Sequence, residues 1–172
     1  MELRPQLLTR VEKPPSGEDW LWELKYDGFR ILAHIRGGRV RLVTRNGNDF
    51  THKFQGIADS LSHLPDCVLD GELVMTDAAG RCVFPPKSTS PSRAYMVFDI
   101  VLPDLPLIER KQILADLNPP NLVDFMQGGG AELFRAVCQA GHEGLVGKLK
   151  TSRYTGKRDG TWVKIICPNY VR

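Results

Sequence analysis

Eight ionisable residues lie inside or at the ends of apolar, strand-like runs: Lys25, Arg30, Arg45, Glu72, Asp99, Glu143, Lys148 and Lys164. One charge on a half-buried strand is ordinarily a solvated face or a paired ion, since burying a bare charge is costly. Cations and carboxylates at the ends of successive strands mean more if those strands converge on a cleft. Such a lining suits a polyphosphate with its divalent metal. Cations hold phosphoryl oxygens, and carboxylates hold the metal or ribose hydroxyls. The sequence has no G-x-x-x-x-G-K-[ST] loop and no G-x-G-x-x-G after a strand, so side chains would have to do the phosphate work. A lysine is then available as a nucleophile. Lys25 ends the run WLWELK (20–25) and is followed by an Asp-Gly turn, so it is either a solvated strand end or a placed reactive amine.

The elements that must position these residues read as follows. In 20–25, Trp20, Trp22 and Leu24 share one face of a period-2 pattern, and Leu21, Glu23 and Lys25 share the other. RILAHIR (30–36) and RVRLVT (39–44) flank Gly37-Gly38, which predicts a hairpin. A helical stripe of Phe54, Ile57, Ala58 and Leu61 predicts a helix over 52–63, and CVLDGELVMT (67–76) predicts a strand. The Pro- and Ser-rich stretch 78–94 reads as a mobile loop, and YMVFDIV (95–101) as a short strand. Helices follow over 105–117, with Pro106 in the first turn, and over 129–144, capped by Gly141. Strands at 145–150 and 161–166 flank a basic loop, 151–160, in which Tyr154 sits among Arg153, Lys157 and Arg158. The N-terminal 1–19 is an extended lead-in. Hairpins mixed with a few helices predict an α+β fold with largely antiparallel sheets and flanking helices.

Bulk composition narrows the class. At 172 residues, with 42% hydrophobic and 25% charged, the chain is expected to form one soluble domain with a real core. No apolar run approaches the roughly 20 residues that cross a bilayer, and the N-terminus has no signal-type core. A cytoplasmic protein with no membrane partner is the expectation. Cys67, Cys82, Cys138 and Cys167 are widely spaced, which predicts plain core thiols rather than zinc ligands or disulfides. The net charge of +3 permits a polyanionic partner without demanding one.

KYDGFR (25–30) resembles the K-x-D-G-x-R motif of the covalent nucleotidyltransferases, a group that includes DNA ligases, RNA ligases and capping enzymes. RNG (45–47), LDGEL (69–73), YMVFDI (95–100), EGLVGK (143–148) and WVK (162–164) follow in that family's order. The surrounding text is most similar to the adenylation domain of bacterial ATP-dependent DNA ligases of the ligase D type. The likeness runs over roughly 5–167. It implies the ligase adenylation fold, ATP-grasp-like in kind, with 1–172 as a single adenylation domain and no C-terminal oligonucleotide-binding barrel in this chain.

The resemblance also implies roles. Lys25 would attack the α-phosphorus of ATP, giving a lysyl-AMP that is handed to a DNA 5′-phosphate. Glu23 would read the adenine amino edge, with Leu24 beside it in the nucleotide site. Arg30 and Arg45 would lie near the ribose and the 5′-phosphate, and Glu72 at the ribose or metal. Phe98 would stack on the base, Lys148 and Lys164 would hold phosphates, and Glu143 with Glu72 would take Mg²⁺ or Mn²⁺. The implied partners are nicked or broken DNA and a separate protein or domain that supplies DNA grip. The family's last motif usually carries a second lysine, where this chain has Ile166. Losing such a charge costs roughly 10²–10³ in rate where nothing substitutes. A catalytically weakened nucleotide- or DNA-binding module on the same fold is the alternative, and a capping-type or RNA-directed enzyme is a third reading.

Overall fold

The computed structural model describes residues 3–77, 82 and 92–171. The chain divides into two compact units, each with its own sheet and core. The first takes the described residues of Met1–Tyr26, Pro103–Ile108 and Asp124–Arg172; the second takes Asp27–Leu102 and Glu109–Val123. The K-x-D-G-x-R motif therefore straddles a boundary, with Lys25 in the first unit and Arg30 in the second.

The first unit holds a five-stranded sheet in the order β1-β9-β8-β2-β7. Its strands are β1 (Thr9–Arg10), β2 (Trp20–Leu24), β7 (Met126–Gln127), β8 (Gly144–Leu149) and β9 (Trp162–Ile166). All pairs are antiparallel except β1 with β9. The extended lead-in thus becomes a short edge strand, and β7 is too short for any periodicity to announce it. Trp22, Leu145, Val163 and Ile165 form the core with Val137 of helix α3 (Gly130–Gln139). Gly130 and Gly147 both press against the Trp22 indole, where any Cβ would collide with the ring. The helix expected over 129–144 ends earlier, because Gly141 turns left-handed at φ +80° just past it. That early stop returns Glu143 to the sheet at the head of β8.

The second unit holds the antiparallel sheet β4-β3-β5-β6. These strands are β3 (Phe29–Arg36), β4 (Arg39–Thr44), β5 (Cys67–Thr76) and β6 (Ser92–Ile100). Gly37 and Gly38 both have positive φ, 54° and 74°, and Arg36 pairs with Arg39, as a two-residue hairpin requires. Ile31, Ala33, Ile35, Leu69, Leu73 and Tyr95 face the core, with Ala58 and Leu61 of helix α1 (Gln55–Leu61) and Leu114 of helix α2 (Leu107–Leu117). The loop expected over 78–94 lies outside the described residues, apart from Cys82 and the 92–94 segment that opens β6. Among the described residues no helix is long and apolar enough to cross a membrane.

One expectation fails in the first unit. Cys138, near the end of α3, and Cys167, just past β9, are not core thiols but form a disulfide across 29 residues, with Cα atoms 5.4 Å apart. Tertiary packing of the helix end onto the strand end creates this proximity, and the sequence spacing carries no sign of it. Loop closure of this length is worth about 3–4 kcal/mol. A dithiol reductant should therefore lower the melting temperature by roughly 10 °C. The Cys138→Ser/Cys167→Ser double variant should melt low with or without reductant, as read by a thermal melt.

Candidate active site

Period-2 alternation sorts the first sheet into two faces. Trp22, Leu145, Val163 and Ile165 turn toward α3, so Glu23, Lys25, Lys148 and Lys164 occupy the opposite face. Leu24 pairs with Leu145, and the Lys25 N–H then donates to the Gly144 carbonyl at 3.0 Å, which extends the pairing by one residue. This brings Lys25 beside Glu143. Lys25 Nζ lies 2.8 Å from Glu143 Oε1, with the two side chains 17% and 14% exposed. Glu143 Oε2 is buried and has no hydrogen-bond partner among the described residues. A buried carboxylate oxygen left open in this way suits a hard cation such as Mg²⁺. The Glu143 carbonyl accepts from the Cys167 N–H at 2.9 Å, which fixes the turn that carries the carboxylate.

Farther along the same face, Lys148 Nζ donates to Glu23 Oε2 at 2.7 Å, and both side chains are almost fully buried. The ammonium also lies over the Trp162 ring, 4.1 Å from its centroid. Two residues expected to serve opposite ends of a nucleotide are thus paired with each other. The Leu24 side chain packs with the apolar cluster, on the face away from Glu23 and Lys25. Ile166 takes the place of the second lysine on the face of Lys164.

Burial, and then the nearby cations Lys25 and Arg158, push the Lys164 ammonium below the ordinary lysine range; Glu143 opposes this and Arg10 adds to it. The folded value is the lower one, so the unfolded chain binds more protons between the two values. Stability from this site therefore rises with pH across that alkaline window. Lys164→Met should flatten the rise, measured as melting temperature against pH up to about 10.5.

In the second unit, Arg30 pairs with Glu72 in the strand register and makes a two-pronged ion pair with Asp70, at 2.6 and 2.7 Å. Its guanidinium lies over the Phe98 ring, 4.7 Å from the centroid. Phe98 is the extra residue of a β-bulge, since Gly71 pairs with Val97 and Asp70 with Asp99. The bulge keeps Phe98 out of the core cluster that holds Val97 and Ile100. Arg30, Arg45 and Glu72, with Gly28, Thr44 and Asn46, line a cavity of about 320 Å³. Gly28 must be glycine because a Cβ there would strike the Leu73 carbonyl of β5. Asp70, the aspartate of LDGEL, joins the site through Arg30; its place two residues before Glu72, on one strand face, is the sequence signal for it.

Two expectations change. Asp99 lines no cleft, because its carboxylate is clamped by Arg110 at 2.9 Å through both Nε and Nη2, both side chains fully buried. Tyr154 is buried rather than set out among the basic side chains of its loop: its hydroxyl accepts from the Gln6 N–H at 3.2 Å and its ring meets Trp162 edge-on. Gln6 Oε1 accepts from the Thr155 and Gly156 N–H groups, which shapes the basic loop. Arg153 and Lys157 of that loop remain exposed. Among the described residues no three His, Cys, Asp or Glu side chains gather into a metal cage.

One mixed and one antiparallel sheet with few helices, a lysine–carboxylate pair on the first and an arginine-lined cavity on the second, have the makeup of the nucleotidyltransferase adenylation fold. The chain belongs to the ATP-dependent DNA ligase domain family, whose model matches residues 6–165. It is 34% identical over 185 residues to the multifunctional non-homologous end joining protein LigD of Pseudomonas aeruginosa, covering 96% of this chain and 22% of that protein. It is 32% identical to the SPbeta prophage-derived DNA ligase-like protein LigB of Bacillus subtilis, covering 99% of this chain and 69% of that one. A solved mycobacterial DNA ligase D complexed with ATP and MES superposes with a TM-score of 0.83 at 29% identity, over 95% of this chain and 60% of that one. The chain thus spans well under two thirds of the LigD protein that it matches.

Proposed function

We propose that this chain is an ATP-dependent adenylyltransferase of DNA-ligase type, with Lys25 as its nucleophile. The observation that carries the reading is the Lys25–Glu143 pair at 2.8 Å on a sheet face that also bears Lys148 and Lys164. The Lys25 amine attacks the α-phosphorus of ATP; an N–P bond forms, the bond to the bridging oxygen breaks, and pyrophosphate leaves. The ammonium must first lose a proton, and Glu143 Oε1 is an acceptor within reach. AMP then passes to the 5′-phosphate of nicked or broken DNA, and attack by the 3′-hydroxyl releases it as the strand closes.

Glu23 reads the adenine amino edge and Phe98 stacks on the base. Arg30, Arg45 and Glu72 take the ribose and the DNA 5′-phosphate. Lys148 and Lys164 hold phosphoryl oxygens and stabilise the charge that builds on them. Glu143, through its open Oε2, would hold Mg²⁺ or Mn²⁺, which supplies neutralisation of polyphosphate charge. Exposed Arg153 and Lys157 offer contacts to the DNA backbone, so binding should weaken steeply with salt. A further domain or protein completes the grip on the duplex.

A second reading has one observation in its favour. Ile166 stands on the Lys164 face in place of a cation, as a weakened binding module would allow. Intact mass after incubation with ATP and Mg²⁺ separates the two. An AMP-sized gain with ATP but not GTP, discharged by a nicked duplex bearing a 5′-phosphate, supports the ligase reading. Bound ATP with no mass gain supports the module.

A further inference from the structure

Two side chains of α2, Arg110 and Lys111, are almost completely buried cations with no place in the nucleotide site described above. Both reach the bulge at Phe98. Arg110 donates to both carboxylate oxygens of Asp99, each at 2.9 Å. Lys111 Nζ donates to the carbonyl of Phe98 itself at 2.7 Å. The Asp99 carboxylate in turn accepts from the Ile100 N–H at 2.8 Å, which closes the far side of the bulge.

A bulge breaks the ladder and leaves its extra residue unpaired, so its backbone needs other partners. Here a helix supplies two charged donors to consecutive residues of β6. Burying a lysine against the bulge carries a desolvation cost that packing alone does not call for. We propose that Arg110 and Lys111 are positioning residues for base recognition: they lock the β6 bulge so that the Phe98 ring is held at a fixed angle beneath Arg30. This rests on the reading that Phe98 stacks on the adenine. In this role the two residues act on the base through the Phe98 ring. The bulge angle decides whether the ring meets a base flat or on edge, and base–aromatic stacking depends on that.

The test is the affinity of AMP and of ribose 5-phosphate, measured by titration calorimetry. These probes differ by the base and need no turnover. Lys111→Met should weaken AMP about tenfold, as expected for a misaligned stack, and leave ribose 5-phosphate unchanged. On a Phe98→Leu background the same substitution should add nothing. Equal loss for both probes, or a full additional loss on Phe98→Leu, would mean a merely structural lysine and overturn the proposal. AMP binding that survives Phe98→Leu undiminished would instead remove the stacking role, and the proposal with it. Should methionine prevent folding, Lys111→Gln, whose shorter side chain stops short of the carbonyl, is expected to show the same split between probes.

Discussion

Lys25→Ala should fold normally, bind ATP, and show no AMP-sized mass gain, a loss on the order of 10⁵-fold or more in self-adenylation. Lys25→Arg should be as inactive, since a guanidinium keeps its proton and offers no lone pair to phosphorus. The expectation follows from placement. Lys25 continues the β2–β8 pairing by one hydrogen bond, so its amine is delivered to Glu143 by sheet register rather than by a loop. Alanine preserves that backbone bond and removes only the nucleophile. The substitution does leave Glu143 half-buried without its cation, and a modest drop in stability should accompany the loss of activity. Intact mass and a thermal melt on the same sample read both. A residual AMP adduct on Lys25→Ala would move the nucleophile elsewhere and sink the reading.

The second large effect belongs to Glu23 and Lys148. Glu23→Ala strands a buried ammonium and should cost roughly 3–5 kcal/mol, with Lys148→Ala similar for the opposite charge. The double variant Glu23→Leu/Lys148→Met removes both charges at once and should recover most of that stability. It should not recover nucleotide binding, because an apolar pair cannot read an amino edge or hold a phosphoryl oxygen. Denaturant melts and ATP titration, run on all variants, separate the two contributions. A double variant that binds ATP like wild type would leave Glu23 and Lys148 as a purely structural pair. The Trp162 ring beneath Lys148 belongs to the same unit, so a partial loss from Trp162→Leu is expected through that ammonium.

The strand faces were legible in the sequence because strand periodicity is local. Glu23 and Lys25 fall two residues apart, as do Glu72 and the Asp70 that grips Arg30, and period 2 alone puts each pair on one face. The Gly37-Gly38 hairpin was legible for the same reason, since two positive φ values in a two-residue loop demand glycine. Charged residues in apolar runs marked the candidate positions before any fold was known.

Which charge meets which is a long-range matter, and there the sequence was silent. Glu23 and Lys148 are 125 residues apart, yet their pairing follows from the β2–β8 register. Asp99 looked like a cleft carboxylate until α2 placed Arg110 on it. Cys138 and Cys167 read as core thiols until the end of α3 met the end of β9. The Phe98 bulge depends on one unmatched residue between β5 and β6, and neither strand alone records it. Residue types and their faces are fixed by chemistry that acts over two to four positions. Partners, burial and the aim of each side chain are set by packing across the whole chain, and that only the tertiary structure decided.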